Sequence, residues 1–173
     1  MKDTVLYFFS TFTVFGDVLI VLILIAFLLK KTKFARKFLN FLSENYLPIA
    51  FLIASFATLG SLTFSEILHF DPCKLCWFQR IFMYPQVLIF LIALLKKDRN
   101  VWRISLALSL FGFFTALYHV FLQMYPSSLP CSDEVVSCAK VQFRFFGYIT
   151  IPVMSTTAFS ALILLNLLGK KKN

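Results

Sequence analysis

The chain has 173 residues, 60% of them hydrophobic, a mean hydropathy of +0.83 and a formal net charge of +9. A soluble domain uses about 45–50% apolar residues, so the composition excludes an ordinary globular domain and puts most of the chain in lipid. Nor does the charge mark a nucleic-acid binder, because the basic residues are grouped between apolar runs and read as topology signals.

A bilayer core of about 30 Å takes roughly 20 apolar residues per helix, and five stretches meet that length: residues 5–29, 46–68, 77–95, 104–124 and 148–168. The first contains Asp17 and is followed, not preceded, by its basic cluster, which predicts a retained span in place of a cleaved signal peptide. Asp17 falls mid-span, where an ionisable side chain is expensive and faces a partner helix or a cavity; the sequence assigns it no role. Lys30, Lys31, Lys33, Arg36 and Lys37 follow span one, Lys96, Lys97, Arg99 and Arg103 follow span three, and Lys170, Lys171 and Lys172 follow span five. Those twelve share one side in an alternating arrangement, against five on the other: Lys2, Lys74, Arg80, Lys140 and Arg144. The positive-inside rule predicts an N-terminus outside and a C-terminus in the cytoplasm, with anionic lipid against the basic segments.

Both outward loops carry cysteine. Cys73-Lys74-Leu75-Cys76 opens the third span, and Cys131 and Cys138 lie between the fourth and fifth. The outer face of a plasma membrane is the oxidising side, where disulfides persist. A C-x-x-C ring constrains little of the unfolded chain, which favours a redox-active pair over a structural bridge. For Cys131 and Cys138 alone the two readings stand level. A four-thiolate zinc site fits their spacing poorly, and no metal is expected. Pro72 marks a helix start, so Cys73 to Cys76 occupy a first turn whose N–H groups and dipole favour a thiolate. Arg80 follows Cys76 by one turn on the same face, either donating to a bound carbonyl oxygen or snorkelling to the headgroups. Glu66 and His69 close the second span, as part of a ligand pocket or through interfacial solvation. Residues 140–146 are expected along the membrane surface, and Tyr84, Tyr118, Tyr125 and Tyr148 in an aromatic belt.

The run Pro72-Cys-Lys-Leu-Cys-Trp-Phe-Gln-Arg80 with Met83-Tyr84-Pro85 resembles the signature of the bacterial DsbB/BdbC disulfide-formation membrane proteins. The likeness continues in Tyr118-His119, Gln123, Tyr125-Pro126, Pro130-Cys131 and Gly147 to Pro152, and covers roughly residues 46–168. The short spacing of the second cysteine pair is similar to the BdbC branch. The resemblance implies an all-α polytopic protein of the bacterial plasma (inner) membrane. Residues 46–173 would form a four-helix bundle core, and residues 1–45 an extra transmembrane helix with a basic cytoplasmic loop. It also implies a thiol:quinone oxidoreductase that re-oxidises a DsbA/BdbD-like thioredoxin-fold thiol oxidase and passes the electrons to ubiquinone or menaquinone. By that resemblance Cys131 and Cys138 are the shuttle pair, with Cys131 meeting the partner. Cys73 and Cys76 are the quinone-coupled pair, and Arg80 and His119 border the quinone; without the resemblance His119 reads first as a packing residue. A G-x-G-x-x-G and a C-x-x-C-H are both absent from the sequence, and a lipid-soluble acceptor requires neither. Two other readings remain open: a related four-helix enzyme of the vitamin K epoxide reductase type with electrons running the other way, and a non-enzymatic protein with two bridges.

Overall fold

The computed structural model describes residues 2–125 and 137–170. Six α-helices carry the described chain: α1 (Lys2–Leu28), α2 (Lys33–Glu44), α3 (Tyr46–Leu62), α4 (Lys74–Lys96), α5 (Trp102–Met124) and α6 (Ile151–Lys170). Every one except α2 is long and apolar enough to cross a membrane, α3 together with the π-helical turn Thr63–Ile67 that continues it. The protein is an all-α polytopic membrane protein, as the composition requires.

Helices α3 to α6 surround a core of Tyr46, Ala50, Ala54, Met83, Phe90, Ala116, Phe159 and Leu162. Small residues let the helices approach, since lipid tails give apolar side chains no reason to leave the bilayer and close packing must hold the bundle. At the α5–α6 crossing, a Cβ on Gly112 would stand 2.2 Å from Cζ of the fully buried Phe159. Gly112→Ala should therefore cost at least about 1–3 kcal/mol by overpacking, read as a lower melting temperature in detergent. Phe159→Leu in the same chain should recover part of it; an unchanged melting temperature for Gly112→Ala would show that the crossing is looser than this.

A polar layer crosses the same interior. The buried Gln86 carboxamide oxygen accepts from Ser105 (2.6 Å) and Ser109 (3.1 Å), and Asn166 donates to Ser105 Oγ at 2.9 Å. Side chains from α4, α5 and α6 thus bond to one another across the bundle interior.

The segment after span one is a helix as well as a basic loop. Thr32 caps α2 through Ala35 N at 3.3 Å, and Ala35, Leu39 and Ser43 form its buried stripe, four residues apart. Ser43 Oγ donates to the carbonyl of Leu168 near the end of α6, at 2.9 Å. Arg99 donates to the carbonyls of Ser43 (2.6 Å) and Glu44 (3.2 Å) at the end of α2, where a cation suits the helix dipole. Its guanidinium lies over the Tyr46 ring, and the Tyr46 hydroxyl donates to the Arg99 carbonyl.

At the opposite end α1 is stitched to the bundle by Asp17. Its carboxylate accepts from Thr157 Oγ1 on α6 (2.6 Å) and from the Tyr148 hydroxyl (2.9 Å), which explains a mid-span acid as a helix tether. Phe8, Phe9 and Phe12 of α1 pack against Phe56 of α3.

The fifth span, α6, begins three residues later than its apolar run, because residues 145–149 form a hairpin turn. Phe145 N donates to Ile149 O, with positive φ at Phe146 (48°) and Gly147 (80°). That pair of left-handed residues is the signature of a type I′ turn, and glycine takes the second place without strain. Phe143 and Phe145 pack toward Phe64 and Phe70 beyond the end of α3, while Lys140, Arg144 and Phe146 of the same segment are exposed. His69 ends the π-helical turn in the left-handed region (φ 54°) and is exposed, as is Glu66, which accepts from Ser65.

Candidate functional site

The site is assembled at the N-terminal end of α4. Cys73 stands at the N-cap in extended conformation, and Trp77 N closes the first turn on its carbonyl at 3.1 Å. Cys73 is buried and Cys76 half-buried; the Cys73 thiol donates to Cys76 Sγ across 3.5 Å, a contact between two reduced thiols. That hydrogen bond, reinforced by burial and opposed by His119, pushes the Cys73 thiol up to about 11.

His119 lies near the end of α5, buried to 3% exposure. Its Nε2 is 3.7 Å from Cys73 Sγ and 3.0 Å from the carbonyl oxygen of Cys138, while its Nδ1 is 3.1 Å from the carboxamide nitrogen of Gln79. One imidazole thus joins α4, α5 and the loop that carries the second cysteine pair. Cys138 is itself buried, in a cluster with Cys73 and Leu122. Three cysteines that the sequence put in two separate loops meet here, and Cys131 lies outside the described residues.

Two further carboxamides hold the loop over the helix end. Gln123 donates to the Lys140 carbonyl (3.3 Å) and Gln142 to the Asp71 carbonyl (3.2 Å), leaving each Oε1 buried and without a hydrogen-bond partner. Both line a narrow cleft that Cys73, Cys76, His119, Ser137 and Thr150 also face.

Arg80 is placed elsewhere. Consecutive helix positions diverge by about 100°, so Gln79 turns inward to His119 while Arg80 turns to α3. There Arg80 Nε donates to Ser61 Oγ (3.0 Å) and Nη2 to the Ser61 carbonyl (3.1 Å), Tyr84 donates to the same hydroxyl (3.1 Å), and the Trp77 ring lies 5.3 Å from the guanidinium carbon. Arg80 and His119 therefore occupy different sides of α4, and Arg80 is not among the residues of the cleft. Glu66 and His69 do not line it either. Sequence reasoning missed the parts played by Ser61, Gln79 and Tyr84. For Gln79 the signal was available, since it stands three residues after Cys76 and a turn below it; Ser61 gives no such sign inside an apolar span.

A family model described as "Disulfide bond formation protein DsbB" matches residues 43–169, beginning near the end of α2. The SPbeta prophage-derived disulfide bond formation protein B of Bacillus subtilis is 43% identical over 118 residues, 68% of this chain and 80% of its own length. A probable disulfide formation protein C of Halalkalibacterium halodurans is 45% identical over 130 residues, covering 72% of this chain and 93% of that one. Disulfide bond formation protein C of Bacillus subtilis is 40% identical over 122 residues, covering 69% and 88%. No solved structure matches the chain significantly. With its match to the family over most of its length, the chain belongs to the DsbB disulfide bond formation family, close to the Bacillus disulfide formation proteins B and C, as a membrane oxidoreductase of disulfide formation.

Proposed function

We propose that the protein is a thiol:quinone oxidoreductase of the bacterial plasma membrane, which re-oxidises an extracytoplasmic thioredoxin-fold thiol oxidase of the DsbA/BdbD type. The observation that carries the reading is the buried meeting of Cys73, Cys76 and His119 with Cys138. The partner's dithiol attacks a Cys131–Cys138 disulfide, with Cys131 forming the mixed disulfide, and leaves as a disulfide with two electrons fewer. The reduced shuttle pair then exchanges with a Cys73–Cys76 disulfide, so the electron pair and two thiol protons pass to the C-x-x-C. The packing of Cys138 beside Cys73 supports that exchange. The contact of His119 Nε2 with Cys73 Sγ, from a nitrogen that also donates to the Cys138 carbonyl, supports a role for the imidazole as a donor to the Cys73 thiolate formed in that exchange.

A quinone supplies a two-electron, two-proton sink more positive than the partner; a strong periplasmic dithiol oxidant stands near about −120 mV. The residues fit such a group. Arg80 commits Nε and Nη2 to Ser61, and a guanidinium has five N–H donors, so donor capacity remains for a carbonyl oxygen. Trp77, Phe78 and Ile81 on the same turn of α4 are exposed apolar side chains suited to a lipid-soluble ring.

Incubating the purified protein with a reduced thioredoxin-fold partner and a soluble quinone should consume quinone in proportion to the partner. Quinone left unreduced while the partner's thiols persist would refute the reading. Orientation has its own test. Single cysteines introduced near Lys2 should react with an impermeant reagent from outside, and those near Lys33 only after permeabilisation. Labelling near Lys33 from outside would invert the topology. Within this reading residues 46–173 are the catalytic core, and residues 1–45 an added helix that Asp17 fastens to α6.

A further inference from the structure

Among the described residues, the cluster of Cys73, Cys76 and His119 has a geometry that thiol exchange alone does not require. Cys73 Sγ, Cys76 Sγ and a nitrogen of His119 all lie within 4.8 Å of one another. The S–S side of the triangle is 3.5 Å and the Cys73 S–N side 3.7 Å. A tetrahedral zinc ion with Zn–S of about 2.3 Å and Zn–N of about 2.0–2.1 Å sets ligand-to-ligand edges of roughly 3.8 Å and roughly 3.6 Å. Two sides of the triangle already match these edges within a few tenths of an ångström, and only the Cys76–His119 side needs to close.

We propose that the reduced site binds a thiophilic divalent cation of the zinc class through Cys73, Cys76 and His119, and that this binding is gated by the redox state of the cysteine pair. A four-thiolate zinc site fits the cysteine spacing poorly; this site is different, with three ligands, mixed donors and occupancy only in the dithiol state. Binding breaks two S–H bonds and forms two Zn–S bonds and one Zn–N bond, releasing two thiol protons with no change of oxidation state. The two thiolates neutralise the divalent cation.

Two further observations support the site. Gln79 faces Nδ1 of His119, and a carboxamide serves either tautomer. Turned over, its oxygen accepts from Nδ1–H, as partners of metal-bound histidines do, and Nε2 gives up its hydrogen bond to the Cys138 carbonyl to present its lone pair to the ion. Secondly, the cleft holds the two buried acceptors without partners, Gln123 Oε1 and Gln142 Oε1, which suit a water in the open fourth position. Once the cysteines join as a disulfide neither sulfur is a thiolate, so oxidation expels the ion. A bound ion, in turn, holds both sulfurs away from exchange and arrests the protein in its reduced form.

Anaerobically reduced full-length protein should take up one Zn2+ per chain from a chromogenic chelator. With Co2+ it should develop the thiolate-to-metal absorption of a tetrahedral site. The disulfide form should take up neither. His119→Gln should weaken Zn2+ uptake at least about tenfold, with its melting curve confirming the fold. Cys76→Ser should abolish the thiolate-to-cobalt band of the bis-thiolate site, and Cys131→Ser should bind as the native chain does. Equal uptake by the disulfide form, uptake unaffected by His119→Gln or Cys76→Ser, loss of uptake in Cys131→Ser, or no uptake by the reduced native protein would each overturn the proposal. None of these readouts involves quinone or the partner, so the oxidoreductase reading stands or falls separately.

Discussion

Replacing Cys138 by serine is expected to stop turnover and to leave the protein covalently joined to its thioredoxin-fold partner through Cys131. The adduct forms when the Cys131 thiolate attacks the disulfide of the oxidised partner and one partner sulfur leaves as a thiol, and without Cys138 this chain has no neighbouring shuttle thiol to displace the partner again. The adduct should run as one reducible band on a non-reducing gel. Cys76→Ser should differ in kind. The native Cys131–Cys138 disulfide should still be reduced by the partner once, because that exchange does not use the C-x-x-C, but it should not recover. Since Cys73 and Cys138 share one buried cluster, a volume-conserving Ser is the right probe and keeps the packing close to native. Normal turnover in Cys131→Ser would show that the second pair is a structural bridge and remove the shuttle from the mechanism.

The second large effect is expected at Arg80. A donor aimed at an oxygen that gains negative charge in a dry site typically contributes about 2.7–4 kcal/mol. Arg80 is half-buried and shares its guanidinium with Ser61, so Arg80→Ala should cost about 1–3 kcal/mol, a roughly 5–150-fold weaker apparent quinone affinity with slower turnover. Partner exchange at Cys131 should be unaffected. Arg80→Lys should rescue in part, since a point charge replaces a planar fork. Because Arg80→Ala also releases Ser61 and Tyr84, Ser61→Ala serves as the control: it loosens the clamp yet keeps the cation, and should show the smaller loss. His119→Ala should act in the same direction as Arg80→Ala but more weakly on quinone affinity, for the imidazole faces Cys73 and Cys138 on the other side of α4. Steady-state rates at varied quinone, with exchange at Cys131 followed separately, decide between these. An unchanged quinone dependence in Arg80→Ala would return the arginine to a purely structural clasp on α3.

Much of the molecule was legible in its residues, because the determinants are local. An apolar run of about 20 residues has one way to satisfy its backbone in lipid, the helix, so the existence of five candidate spans followed from composition alone. The C-x-x-C before a span, and the run to Arg80 that follows it, likewise identified the family from contiguous residues. What escaped was set by contacts between distant segments. Residues 30–45 read as a basic loop because α2 buries a stripe of only Ala35, Leu39 and Ser43, too sparse to stand out until α6 covers it. Asp17 had no role until its partners appeared, Thr157 lying 140 residues away. The divergence of Gln79 and Arg80 depended on which neighbour covers each side of α4, and a helix apolar nearly all round carries no periodic mark of that choice. The sequence by itself determined the class, the spans and the two thiol pairs, since these depend on chain-local hydrophobicity and spacing. Only the tertiary structure decided that His119 bridges Cys73, Gln79 and the loop of Cys138 and that Arg80 belongs to Ser61, because a side chain's partner is fixed by how the helices pack against one another.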